Sequence, residues 1–324
     1  MKIGKLQESV LDRSIFKQLH KNQKNILCKP KVGVGYQMIR TEGCDALAMT
    51  SNVVEGTAKE VGMLAVPRGI NSLVCSGADP VGLMLTLTLP ADLEEQELRG
   101  MIHAIDAGCT AEGIDLMGGH TQISGSVSRV IAGVTACGLL EKNGTRNQSF
   151  ARPGQDIVMT KWAGLSGAWL LEHRYHEAFC KKYNPDICDS IDGFKQYFSV
   201  RREASLALEY GAHTLYDLSE GGVFGGLWEV AVAGNVGLRV DLKKIPLKQE
   251  TVELCDFVDV NPYQLPGAGA LLIAADHGEA LVHKLAQADI PAVIIGCFTD
   301  DHDRVIVNDD EVRYLEPPRA EIIL

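Results

Sequence analysis

At 324 residues the chain is long for one hydrophobic core, and two domains are expected. Its 46% hydrophobic and 23% charged residues suit an ordinary globular protein, and no apolar run is long enough to span a bilayer. The net charge of −11 argues against non-specific nucleic-acid binding.

The N-terminus, Met1-Lys-Ile-Gly-Lys-Leu6, leads into a charged stretch without the apolar core of a signal peptide, so a cytoplasmic protein is expected. Nine scattered cysteines, odd in number and without a Cys-x-x-Cys pair, read as small hydrophobes in a reducing compartment. Neither a disulfide framework nor a zinc site is expected from them.

Leu6, Val10, Leu11, Ile15, Phe16 and Leu19 keep a helical period, so residues 1–30 read as a helical arm closed by Pro30. A turn and strand follow over 31–40, and a strand over 45–50. Residues 57–76 have helical spacing and stop at Gly77-Ala-Asp-Pro80. From 81 to 89, Leu83, Leu85, Leu87 and Leu89 alternate with Met84, Thr86 and Thr88, the period of a half-buried strand. A helix over 93–112 carries glutamates in its first turn, where the helix dipole favours them.

A short strand, 114–117, then runs into Gly118 and Gly119, read as a turn with His120, Thr121 and Gln122 at its mouth. Residues 128–140 form a β-branched strand. The polar stretch 141–154, ending Arg152-Pro-Gly154, is the expected boundary between a domain over 1–150 and another over 151–324.

The second half opens with a strand, 156–160, and the glycine-rich turn Ala163-Gly-Leu-Ser-Gly167. A helix over 168–179, a loop over 184–192 and a helix over 200–210 follow. The strand 213–217 delivers Asp217-Leu-Ser-Glu-Gly-Gly222, a second glycine pair. A helix over 224–233 and strands over 237–242, 271–275, 292–298 and 304–307 complete an alternating α/β pattern.

Gly164 and Gly167, and Gly221 and Gly222, stand between a strand and a helix. Their amides can face an anion, or the glycines can serve close helix-to-sheet packing; both readings stay open. Lys161 and Arg68 are candidate cations beside such an anion, or equally ordinary surface residues. His173 and His176, with Glu172 and Glu177, share a helix face at ligand spacing, although charged helix faces commonly look like this.

The order of these motifs resembles a family. Gly33-Val-Gly-Tyr-Gln37, Thr50-Ser-Asn-Val53, Gly69-Ile-Asn-Ser-Leu73, Ser76-Gly-Ala-Asp-Pro80, Gly118-Gly-His-Thr121, Pro153-Gly-Gln-Asp156 and Asp217 to Gly222 are similar in sequence and order to the superfamily of aminoimidazole ribonucleotide (AIR) synthetase, selenophosphate synthetase, thiamine monophosphate kinase and HypE. The HypE-like branch is the most similar. The resemblance implies a two-domain PurM-like α/β (α+β) fold whose N-terminal domains pair through their sheets in a homodimer. It implies ATP and Mg2+ as cofactors and a small-molecule substrate activated by phosphoryl transfer, with neither nucleic acid nor membrane as partner.

On this resemblance Asp217 and His120 are the expected catalytic residues. Asn52, Asn71, Ser72, Gly118, Gly119, Thr121, Gly164, Gly167, Gly221 and Gly222 are expected at the nucleotide, and Asp45 and Asp217 at the metal. The chain also departs from the pattern. Tyr36-Gln37, Asn52, Ser72 and His120 stand where the family carries acidic residues, and an amide, hydroxyl or imidazole brings no negative charge to magnesium. The C-terminal stretch Pro317 to Leu324 lacks the cysteine on which HypE builds its nitrile, so that reaction is not expected. The alternative is a dimeric binding or regulatory protein that kept the fold without the chemistry.

Overall fold

The computed structural model describes residues 36–42, 46–140, 150–212 and 214–317, with Leu27, Val32, Val34 and Cys44 besides. The arm expected over 1–30, Gly33, Gly35, Asp45, most of the 141–154 boundary stretch and the C-terminal residues 318–324 lie outside the described residues. Two compact units emerge, the first built on residues 36–140 and the second on 150–317.

The first unit contains β1 (Gln37–Ile39), β2 (Ala46–Gly56), α1 (Ala58–Val74), β3 (Asp79–Leu89), α2 (Glu95–Glu112), β4 (Asp115–Ile123) and β5 (Val130–Leu140). Its five strands lie in the order β1-β2-β5-β3-β4. Only β3 and β4 run parallel, because α2 carries the chain back between them. The leucine alternation of β3 packs as its period requires: Leu83, Leu85, Leu87 and Leu89 are buried while Met84 is exposed.

Helix α1 opens with a capping box, in which Thr57 Oγ1 accepts from the Glu60 amide at 3.3 Å and Glu60 Oε2 from the Thr57 amide at 2.7 Å. It buries Val61, Leu64, Ile70 and Leu73 against the sheet. Two side chains of β2 tie the layers together: Thr50 Oγ1 donates to Gly69 O at 2.7 Å and Asn52 Nδ2 to Arg68 O at 2.7 Å.

The glycine pair Gly118-Gly119 is not a turn. Strand β4 runs through both glycines to Ile123, hydrogen-bonded to β3 along its length, with one extra residue at Met117. Gly119 has φ +150, and a Cβ there would lie 1.7 Å from Leu85 O. Pairing with β3 at that closeness keeps the strand extended where the dipeptide alone suggests a reversal.

The second unit contains β6 (Asp156–Thr160), α3 (Leu165–Lys182), α4 (Pro185–Asp192), α5 (Arg201–Glu209), β7 (Thr214–Asp217), α6 (Gly222–Gly234), β8 (Gly237–Asp241), α7 (Gln249–Val258), β9 (Leu271–Ala275), α8 (Gly278–Ala286), β10 (Ala292–Thr299), β11 (Arg304–Asn308) and β12 (Glu311–Tyr314). The seven strands are ordered β12-β11-β8-β10-β6-β9-β7. Ile157 and Met159 of β6 and Leu272 of β9 are buried with Leu227 and Val230 of α6 in its core.

The segment expected as a loop over 184–192 is helix α4. Asn184 caps it, accepting from the Asp186 amide at 3.2 Å, Pro185 sits in the first turn, and Cys188 and Ile191 are buried. A disulfide between Cys180 and Cys188 joins α4 to α3, which corrects the expectation of unpaired thiols at these two positions. The six other cysteines among the described residues form no disulfide.

Candidate functional site

In the first unit the cross-strand register decides which predicted residues share a face. Asn52 lies level with Val134, Leu85 and Gly119. Val134 and Leu85 are buried, so that row faces the helices. His120 lies in the next row, level with Thr86, Gly133 and Val53, and shares the open face with them. Three strand spacings, roughly 14 Å, separate β2 from β4.

His120 and Asn52 are therefore on opposite faces of the sheet and are not brought together. Gly118 shares the face of His120, and Thr121 the other face, at the exposed edge. Asn71 is fully buried within α1, beside the half-buried Ser72. Asp45 lies outside the described residues.

In the second unit the two glycine turns converge. Gly164 takes φ +70 and caps α3, while Gly221 takes φ +71 and caps α6. The segment Pro262–Gly269 runs between them. The Gly267 amide donates to Leu218 O at 2.8 Å, and a Cβ on Gly267 would lie 3.5 Å from Gly164 N. A Cβ on Gly222, which has φ +61, would lie 2.6 Å from both Tyr263 O and Leu265 O.

Gly167 approaches Leu265 and Pro266 as closely, and its amide donates to Pro266 O at 2.8 Å. Close packing thus accounts for Gly167 and Gly222, while Gly164 and Gly221 head two helices whose first turns carry the positive end of the dipole. Pro262–Gly269 escaped the sequence reading, although two prolines and two glycines in eight residues mark a constrained turn.

Asp217 ends β7 beside this turn and is buried. Its Oδ1 accepts from the Ser219 amide at 3.1 Å and from Ser219 Oγ at 2.6 Å. Next to it Tyr216 donates to the buried Glu229 carboxylate at 2.5 Å. Burial first, then Glu229, Glu220 and Asp217, holds the Tyr216 phenol well above the usual tyrosine range. Glu229 is the acidic member sequence reasoning missed; its signal was a lone carboxylate in the apolar run of α6.

Lys161 is not a free cation for a bound anion. It is buried, and its Nζ contacts Glu203 Oε1 at 2.6 Å, Tyr197 O at 2.8 Å and Ser199 O at 2.7 Å. A separate open depression of about 510 Å³ in the first unit is lined by α2 residues, among them Arg99, His103 and Asp106, with Leu116 of β4. It contains none of the predicted residues.

The donor chemistry divides accordingly. At the positions where the resemblance implies carboxylates, the described residues of the first unit offer hydroxyl, amide and imidazole groups. These suit phosphate or hydroxyl recognition and provide no anionic ligand to magnesium. The second unit offers two helix N-termini and a buried carboxylate, which fit a phosphate chain with one cation ligand.

Two mixed units, one with a β3-α2-β4 crossover and one with paired glycine turns heading helices, define a two-domain α/β protein of PurM-like architecture. Solved structures share it. HypE in complex with ATP has a TM-score of 0.69 at 20% identity, over 98% of this chain and 94% of that one. AaThiL complexed with AMPPCP and TMP has a TM-score of 0.75 at 20% identity, over 99% of both chains. In sequence, the carbamoyl dehydratase HypE of Rhodobacter capsulatus is 24% identical over 255 residues, 77% of this chain and 73% of the relative.

The AIR synthase related protein N-terminal domain matches residues 36–140 and the corresponding C-terminal domain residues 152–308. The chain belongs to the AIR synthase related family.

Proposed function

We propose that this protein is an ATP-dependent enzyme of the AIR synthase and HypE-like class, which activates a small substrate by phosphoryl transfer. The observation that carries the proposal is the convergence of the α3 and α6 N-termini around Pro262–Gly269 with Asp217 beside them. Likeness over nearly the whole chain to structures holding ATP or its analogue AMPPCP supports the same reading.

In this reading Gly164 and Gly221 face phosphate through backbone amides and helix dipoles. Asp217 ligates Mg2+ together with phosphate oxygens. The chemistry rests on positioning and charge stabilisation. The open sheet face of the first unit, with Val53, Met84 and Leu139 exposed, pairs with a second copy as the homodimer interface.

Calorimetric titration with ATP, with and without Mg2+, tests the proposal. Micromolar binding that requires Mg2+ and is abolished by Asp217→Asn is the expected result. The lack of carboxylates at the four family positions favours a second reading, a nucleotide-responsive protein without turnover. Tight binding indifferent to Mg2+ selects that reading, and no binding at millimolar ATP refutes both.

A further inference from the structure

Helix α3 presents Glu172, His176 and Cys180 one turn apart on a single face, the i, i+4, i+8 spacing that stacks side chains in a column. Cys188 comes from α4, which folds back against it. One ligand atom from each of the four residues lies within 4.8 Å of every other. Glu172 and Cys188 are buried, Cys180 is half-buried and His176 is exposed, so the cluster opens to solvent on one side only.

The contacts within it are close. His176 Nδ1 meets Glu172 Oε1, and Cys180 Sγ lies 3.7 Å from His176 Nδ1 and 4.0 Å from Nε2. Glu172 Oε2 lies 3.6 Å from His173 Nδ1. That ring is held against Trp169, with its Nδ1 3.0 Å from Trp169 O. Burying a carboxyl group is costly unless it is paired or hydrogen-bonded, and the partners of Glu172 here are the imidazoles of His173 and His176.

We propose that Glu172, His176, Cys180 and Cys188 form a zinc site when the Cys180–Cys188 bond is reduced. Tetrahedral zinc with Zn–S near 2.3 Å and Zn–N near 2.0 Å places ligand atoms roughly 3.3 to 3.8 Å apart. The widest separations here, at most 4.8 Å, would contract, while the two sulfurs freed by reduction and the touching His176–Glu172 pair would move apart. Two thiolates, an imidazole and a carboxylate are a ligand set suited to zinc over magnesium or calcium.

Two other buried thiols differ. Burial, then Asp106 and Asp115, pushes the Cys109 thiol up to about 11, and burial pushes that of Cys255 up to about 12. Both stay neutral and lack a partnering histidine in the cluster sense.

The chemistry balances with a small thiol as reductant. Two thiol molecules give two electrons and two protons to the bond, leaving as their own disulfide and yielding two protein thiols. Zinc then binds both sulfurs as thiolates, and two protons pass to solvent. The site is thereby loaded in a reducing environment. A small-molecule disulfide reverses the exchange: it takes the two electrons from the protein thiolates and two protons from solvent, leaves as two thiols, and the protein sulfurs pair as zinc is released.

The test uses the full chain, reduced with a phosphine, loaded with Zn2+, desalted under argon and analysed for bound metal. One zinc per chain is expected, against none for protein whose bond is intact. Cobalt in place of zinc is expected to give tetrahedral d–d bands and a thiolate charge-transfer band. Loss of an outer partner of a zinc ligand typically weakens binding about 10- to 100-fold, so losing the ligand itself in His176→Ala or Cys180→Ser is expected to cost at least about a hundredfold. His176 is exposed, so its variant keeps the fold. Reduced protein that retains no zinc, or zinc and cobalt signals unchanged in both variants, overturns the proposal and leaves the disulfide as a staple between α3 and α4.

Discussion

Lys161→Met isolates the buried ion pair that stands where the sequence suggested a phosphate-binding cation. The lysine side chain is 8% exposed and that of Glu203 3%, and the ammonium also satisfies the carbonyls of Tyr197 and Ser199. Methionine keeps the apolar stem and removes the charge. Breaking such a pair from one side leaves an uncompensated buried carboxylate, at a cost of about 3–5 kcal/mol.

Burial raises the Glu203 carboxyl above its ordinary range, and Lys161 opposes that rise. Without the lysine it rises further. A folded-state pKa above the unfolded one contributes stability that is fully present below the unfolded pKa and lost as pH rises through the folded pKa. The variant is therefore expected to lose more stability at pH 8 than at pH 5. Urea denaturation followed by tryptophan fluorescence reads this directly, because Trp162, Trp169 and Trp228 all belong to the second unit. Lys161→Met/Glu203→Gln is expected to recover much of the loss. An equal loss at both pH values, or a double variant as unstable as the single one, refutes the argument.

Gly119→Ala is expected to cost about 3 kcal/mol and to speed amide exchange along β3 and β4, since its Cβ collides with Leu85 O while backbone strain adds to the lost pairing. Gly118→Ala, with nothing within 4 Å of its Cβ, is expected to cost about 1 kcal/mol from backbone strain, and equal exchange in the two variants counts against the register. Sedimentation velocity is expected to give twice the chain mass, shifting to the single-chain mass in Met84→Lys; a single-chain mass for the parent protein refutes the sheet-paired dimer.

Elements whose own residues carry a period were legible. The leucines of β3 and the Thr57 cap of α1 announce their elements locally, and the structure obeys them. Elements decided by a distant partner were not. Gly118-Gly119 reads as a reversal until β3 pairs through it, and Asn184-Pro-Asp186 reads as a loop until Cys188 and Ile191 find buried places. Helices α7 and α8 and the exposed strand β12 went unread, as short elements flanked by turn residues. The places of Gly164 and Gly221 between a strand and a helix, and of Asp217 at a strand end, were legible from order along the chain. Lys161 was misjudged because its partner Glu203 is forty-two residues away, and Glu229 was missed because an apolar helix surrounds it.

The distribution of charge constrains how such a protein would handle a nucleotide. A triphosphate is strongly anionic, and the family resemblance implies magnesium held by carboxylates to offset that charge. Here Asn52 is committed to Arg68 O, Asn71 is fully buried, and His120 stands on the opposite sheet face from Asn52, so these residues do not form one cation site. Helix N-termini at Gly164 and Gly221 favour phosphate without any metal. In the proposed reading the magnesium dependence therefore falls on Asp217, whose Oδ1 is already fixed by two bonds from Ser219 and so arrives pre-oriented. Ser219→Ala would loosen that orientation while leaving the phosphate-facing amides in place. Its effect belongs on the magnesium dependence and not on the metal-free affinity, which separates a working cation ligand from a carboxylate kept only to shape the turn.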